Sequence, residues 1–184
     1  MLRRLKSWWL LRKLQSNCPS TVEAAEKSLS TLAEPSLIPA LIPLLGERWH
    51  VKCAAWQVLE SIDPNWEKTA PGTAGLLRFA ERVNAKQGQL PSDVVEALGR
   101  SGDPRALPCL AVALENVQEC AIGSDGDNEI WGVPTEPFKR ALASFGSAAI
   151  PTIRPLLASK NEYAKSAARE VLAVLKKAEK HCHG

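Results

Sequence analysis

Asp125, Asp127 and Glu129 alternate along the chain, and Glu136 follows eleven residues after Asp125, which imitates the ligand spacing of a calcium-binding loop. Carboxylates on alternate residues can converge on a hard cation. Against that chemistry, Ile130 stands where the loop's tight turn demands glycine, and Pro134 interrupts the segment. The stretch therefore reads as a solvated acidic loop, with Trp131 tucked onto the body or offered to a partner. A second donor set, Lys180-His181-Cys182-His183-Gly184, could hold a soft metal through thiolate and imidazole, but it supplies no fourth ligand and no supporting shell. His50 has no nucleophile and carboxylate spaced to form a Ser-His-Asp relay. Gly72-Thr-Ala-Gly75 lacks the lysine and the preceding strand of a phosphate loop. The expectation is thus no catalytic residue, no cofactor and no metal, with Asp125, Asp127 and Glu129 as the only metal candidates.

The elements that would position such groups are helical. With 184 residues, 45% of them hydrophobic, and a net charge of +3, the chain can bury a core and is not of the disordered class. Its most apolar stretches, such as residues 37–45, are short and carry prolines, so no spanning helix is expected. Five scattered cysteines (Cys18, Cys53, Cys109, Cys120, Cys182), without a C-x-x-C pair or a recognisable secretory leader, read as reduced thiols of a cytoplasmic protein. Charge is divided: residues 1–60 hold eight basic and five acidic groups, 61–159 nine and twelve, and 160–184 six and three, giving +3, −3 and +3. The middle deficit argues against a continuous basic groove for nucleic acid.

A small pattern recurs: an Ala-rich helical stretch ending in leucine, a short break, then an apolar stretch with proline. The helical stretches are residues 22–32, 51–62, 93–98, 138–145 and 164–175, with shared leucines at Leu29, Leu59, Leu98, Leu142 and Leu172. In the second, Val51, Ala54, Ala55, Val58, Leu59 and Ile62 share one face. Asp63-Pro64 and Asp103-Pro104 offer an N-cap carboxylate before a proline, Gly99, Gly102 and Gly146 suit helix ends, and Ser20 with Glu23 has capping-box spacing.

On Val51-Lys-Cys-Ala-Ala-Trp-Gln-Val-Leu59, on Ala97-Leu-Gly-Arg-Ser-Gly-Asp-Pro-Arg-Ala-Leu-Pro-Cys-Leu110 and on Ala164-Lys-Ser-Ala-Ala-Arg-Glu-Val-Leu172, the chain resembles the HEAT repeats, in particular the short variety named for phycobilisome lyases. The resemblance covers residues 20–176. It weakens at 66–89 and at 120–137. It implies an all-α, right-handed α-solenoid of about five helix pairs, with residues 1–19 as a basic capping helix, 120–137 as an inserted loop and 177–184 as a tail. No His-Glu pair accompanies it, which sets aside the iron-binding members of that group.

Three residues before each shared leucine stand Glu26, Trp56, Val95, Lys139 and Arg169. Helical rotation places that position about 130° from the middle of the buried stripe. The resemblance implies that this row lines the concave surface and meets a protein partner, with Trp56, Val95, Lys139 and Arg169, together with Trp131, as candidate contacts. The alternative is that Trp56 closes a gap beside Trp49 or Trp66 and that the charges are solvated. In the first helix Leu2, Leu5 and Trp9 share one face, and Leu10, Leu11 and Leu14 another. That split opposes a membrane-type stripe and favours packing under the first repeat, while leaving a membrane-surface or partner-binding role open. The function expected is a non-catalytic adaptor. The alternatives are a bilin lyase or chromophore-handling protein, as the repeat type implies, and a HEAT-like nucleic-acid binder.

Overall fold

The computed structural model describes the backbone of residues 2–118, 120–125 and 128–182, and the side chains of residues 6–118 and 132–178. Asp127 and His183, and the side chains of Asp125, Glu129, Trp131, His181 and Cys182, lie outside the described residues, so the calcium-like spacing and the donor-rich tail fall there. The framework is all-α, and it divides into two compact units, Met1–Phe79 and Ala80–Gly184.

In the first unit α1 (Leu2–Leu14) and α4 (Trp49–Ile62) flank α2 (Pro19–Leu32), while α3 (Ile38–Leu41) packs on α4. Val22, Ala25 and Leu29 form the buried stripe of α2, and Val51, Ala54, Ala55, Val58 and Leu59 that of α4, matching the apolar periodicity. α1 contributes Leu10 and Leu14 to the interior. Pro35, Pro39 and Pro43 recur every four residues, and each removes the N–H that would continue an α-helix. The run accordingly alternates between 3-10 turns, at Pro35–Leu37 and Ile42–Gly46, and the single α-turn of α3. A further 3-10 turn, Trp66–Lys68, leads into α5 (Ala70–Ala85), inside which the unit boundary falls. Trp66 is fully buried, and the Trp56 ring meets it edge to face at 5.6 Å.

In the second unit α8 (Glu136–Ser144) packs between α6 (Ser92–Ser101) and α10 (Glu162–Cys182). α7 (Ala106–Glu115) and α9 (Ile150–Ile153) lie against one another, with α9 set between 3-10 turns at Gly146–Ala149 and Arg154–Ala158. Pro151 and Pro155 shorten these pieces as the prolines of the first unit do. Buried residues Ala164, Ala167, Ala168, Val171, Leu172 and Leu175 make the inner stripe of α10.

Several local expectations are corrected. The inserted loop is a hairpin: β1 (Cys120–Asp125) pairs antiparallel with β2 (Asn128–Gly132), with an irregularity between Ala121 and Gly123. Asp63 and Asp103 do not cap helices. Each accepts the N–H two residues on, from Asn65 at 2.8 Å and Arg105 at 2.9 Å, and so closes a turn before the next element. Gly102 and Gly146 have positive φ, as helix ends require, but Gly99 lies within α6. Ser20 forms no capping box, because α2 starts one residue earlier at Pro19, and Glu23 pairs instead with Lys27 at 2.7 Å. α10 continues through Cys182, into the stretch expected to be a tail.

Cys18 sits at the N-cap of α2, exposed to solvent. The Ser20 hydroxyl, followed by the N–H of Thr21, brings its thiol down to about 7. Burial, assisted by the Glu81 carboxylate, pushes the Cys109 thiol up. Iodoacetamide at neutral pH should therefore label Cys18 well before Cys109, with a rate midpoint near pH 7 that Cys18→Ser abolishes. Trp66→Ala should lower unfolding free energy by about 3–5 kcal/mol in urea titrations. Trp49→Ala, at a 74% exposed side chain, should change it by less than about 0.5 kcal/mol.

Candidate partner-binding face

α6 and α8 approach closely because two small residues meet: a Cβ added at Gly99 would stand 2.7 Å from the Ala141 Cα and 2.8 Å from its Cβ. The Ser144 hydroxyl lies in the same contact, donating to the carbonyls of Ala141 at 2.7 Å and Gly99 at 3.1 Å. Backbones held this near leave the longer side chains of both helices standing around a shallow cleft of about 170 Å³, lined by Glu96, Gly99, Arg100, Arg140, Ala141 and Ser144. Arg140 reaches across it to the Glu96 carboxylate at 2.5 Å.

The buried face of α8 is Pro137, Phe138, Ala141 and Leu142, which turns Glu136, Lys139, Arg140 and Ala143 the other way. Between these and α10 lies a larger cleft of about 330 Å³. Its floor is apolar, formed by Ala143, Val171 and Val174, and its rim is charged, formed by Glu136, Lys139, Arg140 and Glu170. Val174 is 58% exposed. Arg140 lines both clefts, so they adjoin along α8.

Lys139 bridges Glu136 on its own helix and Glu170 on α10, the latter at 2.7 Å. These bonds, Glu136 first, raise the lysine's pKa, and the lysine in turn holds the Glu170 carboxyl below the ordinary carboxylate range. A lowered carboxyl contributes stability above its unfolded pKa that is lost as pH falls through the folded one. The bridge to Glu170 therefore persists through neutral pH, opens in acid as Glu170 takes up a proton, and opens again in strong alkali as Lys139 loses its own.

The row expected from the sequence is placed unevenly. Val95 is fully buried and has no surface to give a partner; α6 buries Val94, Val95, Ala97, Leu98 and Gly99, a stripe wide enough to take in that position. Lys139 is on the face, with its charge already matched by two carboxylates. Arg169 is exposed on α10 and acts electrostatically on Glu162. Trp56, in the other unit, is half-buried against Trp66 and donates its indole N–H to Glu60 at 2.7 Å. The expected row omits Glu96, Arg140 and Glu170, although they stand two residues before the shared leucines Leu98, Leu142 and Leu172. Of these, Arg140 pairs with Glu96, while Glu170 pairs with Lys139 of the expected row.

Among the described residues, no group of three or more His, Cys, Asp or Glu is placed to hold a metal ion. Among them, too, no single helix is long and apolar enough to cross a membrane. The chain matches no protein-family model and no curated protein sequence. Gly99→Ala should force α6 from α8, costing about 1–3 kcal/mol in denaturant unfolding. Gly102→Ala tests backbone conformation alone, since nothing lies within 4 Å of an added Cβ and the strain comes from a φ of 66°.

Proposed function

We propose that the chain is a HEAT-like α-solenoid that serves as a non-catalytic protein-binding module, with the face formed by α6, α8 and α10 as its binding surface. One observation carries the reading: the cleft between α8 and α10 combines an exposed apolar floor at Val174 with a charged rim at Glu136, Lys139, Arg140 and Glu170. An apolar centre inside a polar rim is the anatomy of a protein interface. Support for the helix-pair architecture comes from each unit separately, where inner helices pack in succession and proline-broken segments join them.

The rim is internally neutralised, so it selects by geometry more than by net charge. A partner segment would place an apolar side chain over Val174 and exchange one of its own carboxylates for Glu96 at Arg140. At about 330 Å³ and open to solvent, the cleft suits such a side chain better than a tetrapyrrole, whose sites enclose most of the ligand. Tagged wild-type protein and a Val174→Glu, Arg140→Glu variant should be compared in nuclease-treated capture from native lysate. Both substitutions strike the centre of the proposed interface, and retention of the specific partner should fall at least about tenfold. Equal retention by both forms, with the variant folded, overturns the assignment of this face.

A further inference from the structure

Of the five tryptophans whose side chains are described, three stand out in solvent, and all three are in the first unit: Trp8 is 59% exposed, Trp9 50% and Trp49 74%. Hydrophobic rings of this size are normally the first to be covered. Each carries a cation about one helical turn along. The Arg12 guanidinium lies 5.7 Å from the Trp8 ring centre, the Lys13 ammonium 3.8 Å from that of Trp9, and the Lys52 ammonium 4.6 Å from that of Trp49. Among the described side chains of α1, the buried ones are Ser7, Leu10 and Leu14, and Trp8 and Trp9 lie off that side. The start of α4 is tied to the end of α1: the Arg48 guanidinium donates to the Gln15 carbonyl at 3.5 Å, and the His50 ring lies 3.4 Å from the Ser16 carbonyl. Trp49, between them in sequence, therefore stands beside the end of α1.

The helix itself carries only basic charge, although the Glu34 carboxylate reaches it at the Ser7 hydroxyl, 3.4 Å away. Residues 1–22 contain five basic and no acidic side chains, Glu23 being the first carboxylate in the sequence. We propose that the outward side of α1, extended by Trp49, docks on an anionic lipid bilayer. Indole rings settle at the level of the headgroups, where their apolar bodies leave water, while neighbouring lysine and arginine side chains extend to lipid phosphates. Basic groups close to a negatively charged leaflet strengthen that contact. At 13 residues α1 lies on such a surface and does not span it. Charge alone would equally suit a nucleic acid, but tracking a phosphate backbone calls for a continuous basic groove, which the net charge of −3 over residues 61–159 opposes. This surface uses none of the residues of the proposed binding face, and its test is independent of the protein-binding reading.

The full chain should co-sediment with vesicles of equal parts phosphatidylserine and phosphatidylcholine, and not with phosphatidylcholine alone, with binding that weakens as salt rises. Trp8→Ala with Trp9→Ala, and separately Arg12→Glu with Lys13→Glu, should each reduce apparent lipid affinity at least about tenfold. All four side chains are exposed, and a circular-dichroism melt of each variant confirms its fold. Brominated lipid should quench the wild-type tryptophan emission on binding, a readout that needs no variant. Absence of binding to the anionic vesicles overturns the proposal. So does binding unaffected by both folded variants, or a tryptophan-dependent preference for single-stranded RNA over the vesicles.

Discussion

The contact of Gly99 with Ala141 sets how near α6 and α8 can come, and much of the second unit follows from that distance. None of these helices carries enough apolar surface to enclose a core alone; each has one stripe that must be covered by its neighbours. Small residues at the closest point allow the stripes to meet, and the long polar side chains beside them are then excluded from the interior. Glu96, Arg140, Lys139 and Glu170 are driven to the same side for this reason, and their opposite charges pair where they emerge, Arg140 with Glu96 and Lys139 with Glu170. The clefts are what remains between helices whose cores are satisfied and whose outer side chains are held by one another.

Pairing changes what that face can recognise. A solitary lysine in a cleft attracts carboxylates in general, whereas Lys139 is matched from its own helix and from α10. The apolar floor at Val171 and Val174 is then the part of the cleft that would gain most by being covered, and on the proposed reading the ion pairs form the walls a partner would have to fit. The first unit presents a different surface. The rings and cations of α1 come from a stretch with no acidic residue before Glu23, and they lie on a helix whose packing side is already used.

Helix positions are legible in the sequence because apolar spacing and packing agree: the stripes of α2 and α4 fall on the residues their periodicity marks. The proline-bearing stretches are also readable as interrupted helices. The caps are less so, since an Asp-Pro pair is equally suited to cap a helix or to close the turn before it, and here Asp63 and Asp103 accept the N–H two residues on. The hairpin at 120–132 escapes because its acidic, glycine-containing composition looks like a loop, and strand pairing there depends on backbone partners that side-chain pattern does not announce. Of the candidate row, Lys139 lines the cleft and Arg169 is exposed, whereas Val95 is inside. One regular rotation does not serve every helix, because α6 buries a wider stripe and takes Val95 inside.

Amide hydrogen exchange of the full chain, free and saturated with the protein retained in capture, tests the central claim most directly. Coverage of the cleft should slow exchange in residues 136–144 of α8 and 162–178 of α10 and leave α7 unchanged. Protection confined to α7 or to the first unit, or no protection anywhere with the partner bound, would contradict a binding face built on α6, α8 and α10.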